Sequence, residues 1–60
     1  MPVIHVAMLE GRSREQKARL AQSITQSFVE IAKAPPDQVM VVFSEHPKEN
    51  WAIGGKLLSE

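Results

Sequence analysis

Pro2, Arg12 and Trp51 are the residues of this 60-residue chain whose types and positions point to chemistry. Pro2 follows the initiator methionine. Once Met1 is removed, its nitrogen becomes a free secondary amine on a rigid ring, a base with no side chain to order. With Met1 attached, the same nitrogen is a tertiary amide and is not basic. A reference α-amino group titrates at about 7.7–8.0. A desolvated pocket or a neighbouring cation lowers that value toward a general base suited to neutral pH. Arg12 lies in Gly11-Arg12-Ser13, where a guanidinium can hold a carboxylate through paired hydrogen bonds or polarise a carbonyl. Trp51 stands near the paired glycines Gly54-Gly55 and can wall a pocket or anchor a subunit interface. Pro2 and Arg12 each have an ordinary reading when taken alone, since Met-Pro is a common start and a loop arginine is commonly solvated; for Trp51 the pocket and interface roles stand even and can coincide. His5 and His46 read as structural or exposed. No triad, phosphate-loop or zinc spacing is present, and the two histidines lie far apart in the sequence without thiolates, so no structural metal is expected.

The elements that must position these groups follow from periodicity. Val3-Ile4-His5-Val6-Ala7-Met8-Leu9 is a short apolar run ended by Glu10-Gly11, which predicts a strand over residues 3–9. Ser13-Arg14-Glu15-Gln16 has the form of a capping box, in which the Ser13 hydroxyl accepts from the Gln16 amide and the Gln16 side chain reaches back. Leu20, Ala21, Ile24, Phe28, Ile31 and Ala32 then recur at helical spacing, with Arg19, Gln22, Gln26, Glu30 and Lys33 on the opposite face. This predicts one amphipathic helix of roughly five turns, stopped by Ala34-Pro35-Pro36-Asp37. Val39-Met40-Val41-Val42-Phe43 is apolar throughout, as in a strand covered on both faces. Two strands joined by a long helix make a parallel, right-handed β-α-β unit. The tail, with Trp51-Ala52-Ile53-Gly54-Gly55-Lys56, reads as a short hairpin or lid. The expected class is therefore α/β (α+β in some schemes), with residues 1–60 as a single domain.

Composition narrows the function classes. A chain this short buries only about 60% of its unfolded surface, and domains of this size lean on disulfides, metals or association. There is no cysteine, yet 43% of residues are hydrophobic, so self-association is the expected remedy. Pairing two units edge to edge gives a four-stranded sheet with two helices, and further association covers what remains. Seven basic and seven acidic residues leave no net charge, which argues against a nucleic-acid module. No apolar run approaches the ~20 residues of a membrane span, and no basic region precedes the first apolar stretch as in a signal peptide. The expected location is the cytoplasm.

Taken together, these segments resemble the 4-oxalocrotonate tautomerase family, the small-subunit branch of the tautomerase superfamily. The resemblance rests on Met1-Pro2, on Met8-Leu9-Glu10-Gly11-Arg12-Ser13 with Glu15-Gln16-Lys17, on Ala34-Pro35, and on Trp51-Ala52-Ile53-Gly54-Gly55. It spans essentially the whole chain in order. It implies a β-α-β subunit assembled as dimers and as a hexamer. It implies that Pro2, freed of Met1, shuttles a proton between carbons of an enol or unsaturated keto acid without metal or cofactor. By the same resemblance Arg12 binds the substrate carboxylate and Trp51 forms the apolar pocket wall. Typical members carry a second arginine at the start of the second strand, which stabilises the enolate oxygen. Met40 stands there instead, in the substrate-binding region, and Arg14 and Arg19 fall on the predicted helix away from that place. Ile53 occupies the place where dehalogenase relatives carry an acidic residue, which argues against hydratase or dehalogenase activity.

The expected function is thus a cofactor-independent tautomerase of small carboxylate-bearing enol or keto acids, with low or altered activity because of Met40. Two alternatives follow from the same residue. The chain could belong to a hetero-oligomer whose partner supplies the missing arginine, or it could be a non-catalytic oligomeric binding protein of the same fold.

Overall fold

The computed structural model describes residues 1–60. Strand β1 is Val3–Leu9, helix α1 is Arg14–Ala32, and strand β2 is Met40–His46. β1 and β2 pair in parallel, from Val3 opposite Met40 to Leu9 opposite His46. Short 3-10 turns at Pro36–Gln38 and Lys48–Asn50 lead into and out of β2. A hairpin closes the chain, with β3 Ala52–Ile53 antiparallel to β4 Lys56–Leu57. Its two-residue turn is Gly54-Gly55 with φ of 60° and 82°. A turn with both central residues at positive φ matches the twist of the flanking strands, and glycine adopts it without steric cost.

The predicted first strand, the parallel β-α-β connection and the terminal hairpin are present. The capping box is formed as expected: the Ser13 hydroxyl accepts from the Gln16 amide at 3.1 Å, and the Ser13 amide donates to Gln16 Oε1 at 2.9 Å. The helix ends at Ala32, with Lys33 in the left-handed conformation, before Ala34-Pro35. Ser13→Ala removes the acceptor at the cap. It is expected to lower the unfolding free energy by about 1 kcal/mol, read from denaturant midpoints at fixed protein concentration.

Two expectations are corrected. The second strand is Met40–His46, not 39–43, because the ladder to β1 continues through Ser44-Glu45-His46 after the apolar run has stopped. The sheet-facing side of α1 is Lys17, Ala21, Ile24, Thr25, Phe28 and Val29, all half-buried. Leu20 is 41% exposed and Ile31 81% exposed, and Ala32 is also exposed. The reason is geometric. Neighbouring strands lie about 4.8 Å apart, so a two-stranded ribbon is too narrow to cover the whole apolar arc of a helix.

The inner face of the sheet carries Ile4, Val6, Met8, Val41 and Phe43 toward the helix. Half-buried between helix and sheet, Lys17 Nζ meets Glu45 Oε1 at 2.7 Å. The outer face carries Val3, His5, Ala7, Met40 and Val42, all exposed in the single chain. On this face His5 Nε2 and the Ser44 hydroxyl form a hydrogen bond from one strand to the other. No residue is fully buried anywhere. The molecule is a slab of 43 × 24 × 14 Å. Its radius of gyration is 14.4 Å, against roughly 10 Å for a compact chain of this length. No helix is long and apolar enough to cross a membrane.

Candidate active site

Pro2 immediately precedes β1. It is half-buried, and its carbonyl accepts a hydrogen bond from the Met40 amide at 3.0 Å. That bond fixes the proline backbone against the start of β2, so the ring nitrogen has no rotamer to settle. Met40 opens β2 and pairs with Val3, which puts it at the same end of the sheet, 45% exposed. Pro2 and Met40 are therefore neighbours.

Arg12 and Trp51 lie at the other end. β1 finishes at Leu9, opposite His46, and the Glu10 amide continues the ladder by donating to the His46 carbonyl at 3.1 Å. Gly11, at φ 122°, then turns the chain into Arg12 and the Ser13 cap. The indole Nε1 of Trp51 donates to the same His46 carbonyl at 3.2 Å. Its ring meets the His46 imidazole edge to face, with centroids 6.0 Å apart at 73°. The Trp51 carbonyl accepts from the Leu58 amide at 2.9 Å, which ties the tail hairpin to the same place.

Because β1 and β2 are parallel, both strand starts lie at one edge and both strand ends at the other. The length of β1 separates Pro2 from Arg12 by roughly 20 Å. The four site residues expected from the sequence thus fall into two pairs, Pro2 with Met40 and Arg12 with Trp51, at opposite ends of one sheet. A single chain does not bring Pro2 and Arg12 together.

Near Arg12 lies a second arginine, Arg19. Arg12, Gln16, Arg19 and Leu20 line a groove of about 370 Å³ with no carboxylate in its wall. Arg19 belongs to the exposed polar face of α1, turned away from the sheet. Gln16, Arg19 and Leu20 share one flank of the first helical turns, and Arg12 meets it from the loop before the cap. The one ion pair of the chain is Lys17–Glu45, so the guanidiniums of Arg12 and Arg19 have no ionic partner. No group of three or more His, Asp or Glu side chains is close enough to hold a metal ion.

Comparison with known proteins places the chain. The family model described as tautomerase enzyme matches residues 2–60. A probable tautomerase of Bacillus cereus is 43% identical over 60 residues, covering all of this chain and 98% of that protein. A 2-hydroxymuconate tautomerase of Comamonas testosteroni is 46% identical over 55 residues, 92% of this chain and 87% of that one. Among solved structures, a homologue of 4-oxalocrotonate tautomerase superposes with a TM-score of 0.94 at 37% identity, over 98% of this chain and 97% of its own. A heterohexameric 4-oxalocrotonate tautomerase from Chloroflexus aurantiacus superposes at 0.92 and 35% identity, over 100% and 97%. The sequence motifs, the β-α-β frame and these relatives agree: the chain belongs to the tautomerase family and is an isomerase of the 4-oxalocrotonate tautomerase type.

Proposed function

We propose that the protein is a cofactor-independent tautomerase of small enol or keto acids, with each active site completed across a subunit boundary. The observation that carries this reading is the separation of Pro2 and Met40 from Arg12 and Trp51 by the length of β1. A twofold axis perpendicular to the sheet pairs two such units edge to edge with their strands antiparallel. That operation sets the Pro2 end of one copy beside the Arg12 end of the other. The exposed outer sheet face, the absence of any fully buried residue and the flat shape all favour such assembly, in dimers and on to a hexamer. The reading takes the enzyme to act in the cytoplasm.

In this site the neutral Pro2 amine accepts a proton from the enol form of the substrate, the electron pair shifts along the double bond, and the ring ammonium returns a proton to carbon. Nothing is gained or lost overall, so no co-reactant is required. Arg12 holds the substrate carboxylate, and the indole of Trp51 excludes water, which strengthens every charge interaction within. Met40 supplies bulk beside the base but no charge. Loss of an oxyanion-stabilising donor costs roughly 10²–10³ in rate, so turnover of a dicarboxylic 2-hydroxymuconate-type substrate is expected to be slow.

The test is ketonisation of a simple enol pyruvate followed by ultraviolet absorbance, with the N-terminal peptide weighed in the same sample. Protein freed of Met1 is expected to accelerate the reaction, and protein retaining Met1 to run at the buffer rate. Equal rates in the two forms would overturn the proline mechanism. A second reading, a hetero-oligomer whose partner supplies the arginine, is favoured by Met40 and by the heterohexameric relative. An active native assembly made of one subunit mass excludes it.

A further inference from the structure

We infer that Lys17 and Glu45 are positioning residues for Arg12, holding the loop that carries it against the end of β2. The inference rests on the proposed role of Arg12 and adds to it two residues that touch no substrate.

The loop from Glu10 to Ser13 carries Arg12 from β1 to α1. Both of its ends are tied to Glu45 and His46, the last residues of β2. At the first end the Glu10 amide donates to the His46 carbonyl at 3.1 Å. At the second end the tie runs through the helix. Ser13 is the cap of α1, and its carbonyl accepts from the Lys17 amide at 3.1 Å. The Lys17 side chain then crosses to the sheet, where Nζ donates to Glu45 Oε1 at 2.7 Å. Between these ties Gly11 and Arg12 make no backbone hydrogen bond. Gly11 also lies at φ 122°, a region open to glycine and a ready pivot. The place of Arg12 is therefore set by its two flanks. The His46 carbonyl also accepts from the Trp51 indole at 3.2 Å, so Arg12 and Trp51 are placed from one strand end.

Of the two ties, the Lys17–Glu45 pair is the one that fixes the helix. In the first turn of α1, Arg14, Glu15 and Gln16 are exposed and Lys17 alone is half-buried. Apolar contact with the sheet begins a turn later, at Ala21. Apolar packing is non-directional and leaves a helix free to slide or turn. The pair is the only side-chain hydrogen bond from α1 to the sheet. It is charge-assisted and directional. Its side chains are 29% and 26% exposed, more sheltered than the surface pairs that contribute little. Without it the cap and Arg12 are joined to β2 only through Glu10. A displaced Arg12 loses carboxylate binding equally in ground and transition states, which appears in KM and not in kcat.

The experiment uses the assembled, processed protein, with native mass and circular dichroism to establish that each variant assembles. Lys17→Met removes the ammonium and keeps an apolar stem. The first readout needs no turnover: ¹⁵N relaxation gives the order parameters of the Gly11 and Arg12 amides. They are expected near about 0.85 in the wild type and below about 0.6 in Lys17→Met, with the β1 amides unchanged. The second is KM for an enol pyruvate. It is expected to rise roughly tenfold, the low end for losing a hydrogen bond to a charged group, with kcat nearly unchanged. Lys17→Arg keeps the charge and the donors and is expected to restore both readouts. Glu45→Gln keeps the shape and one acceptor oxygen. It is expected to move both readouts the same way by less, and it decides the matter if Lys17→Met does not assemble. Gly11 and Arg12 amides that are mobile already in the wild type, or as ordered in the variants, overturn the inference. So does an unchanged KM in variants that are merely less stable, the mark of a purely structural pair. Absence of Pro2-dependent turnover in the wild type removes the tautomerase reading, and the order parameters still decide the anchor.

Discussion

Pro2→Ala is expected to lower kcat for enol ketonisation by about 10²–10⁴, the usual contribution of a positioned general base. The variant isolates the ring. Alanine keeps the backbone carbonyl that accepts from the Met40 amide, so the start of the ladder and the fold are preserved. It also keeps an N-terminal amine, but a primary one that rotates freely and has lost the ring that held it. The comparison therefore measures the secondary, fixed amine and not the mere presence of nitrogen. Circular dichroism and native mass establish that the two proteins are equally folded and assembled. A rate equal to the wild type would remove Pro2 from the mechanism.

The second large effect is a recovery. Pro2→Ala and Arg12→Ala are each expected to be nearly inactive as pure assemblies, yet to regain activity when denatured together and refolded as a mixture. With Pro2 and Arg12 roughly 20 Å apart along β1, an intact site needs an unaltered proline from one chain and an unaltered arginine from another. Random assembly of equal amounts gives both in about a quarter of sites. The mixture is thus expected to show about a quarter of wild-type activity per chain, and simple mixing without unfolding to show far less. Failure of any recovery in well-assembled mixtures would mean that base and clamp act within one subunit. That outcome contradicts the composite site while leaving the family untouched.

Much of this architecture is legible in the residues. Val3–Leu9, the Ser13–Gln16 capping box and Gly54-Gly55 each have a local cause, and each forms the element that cause dictates. The apolar run predicts a shorter β2 because Ser44, Glu45 and His46 are polar, while their place in the strand is fixed by β1 across the ladder and not by their own preference. The apolar stripe of α1 departs from its covered face for a related reason. Leu20 and Ile31 are apolar at helical spacing, but how wide a stripe is covered depends on the partner surface, and a two-stranded ribbon covers little. At the candidate site, Pro2, Arg12 and Trp51 are conspicuous by type. Their separation into two pairs is a property of parallel strand order, visible only once β1 and β2 are placed side by side.

The placement of Pro2 with Met40 at one end of the sheet and Arg12 with Trp51 at the other has a consequence for how such chains diverge. On the proposed site, each copy lends half of two different catalytic centres and owns none outright. When two unlike copies coassemble, a lesion at one end is silent in every junction where the other copy supplies that end. Selection then acts on junctions, and two genes can drift toward complementary specialists, one guarding the base and the other the clamp. In this chain Met40, paired with Val3 next to Pro2, is the position at which such a division would be read.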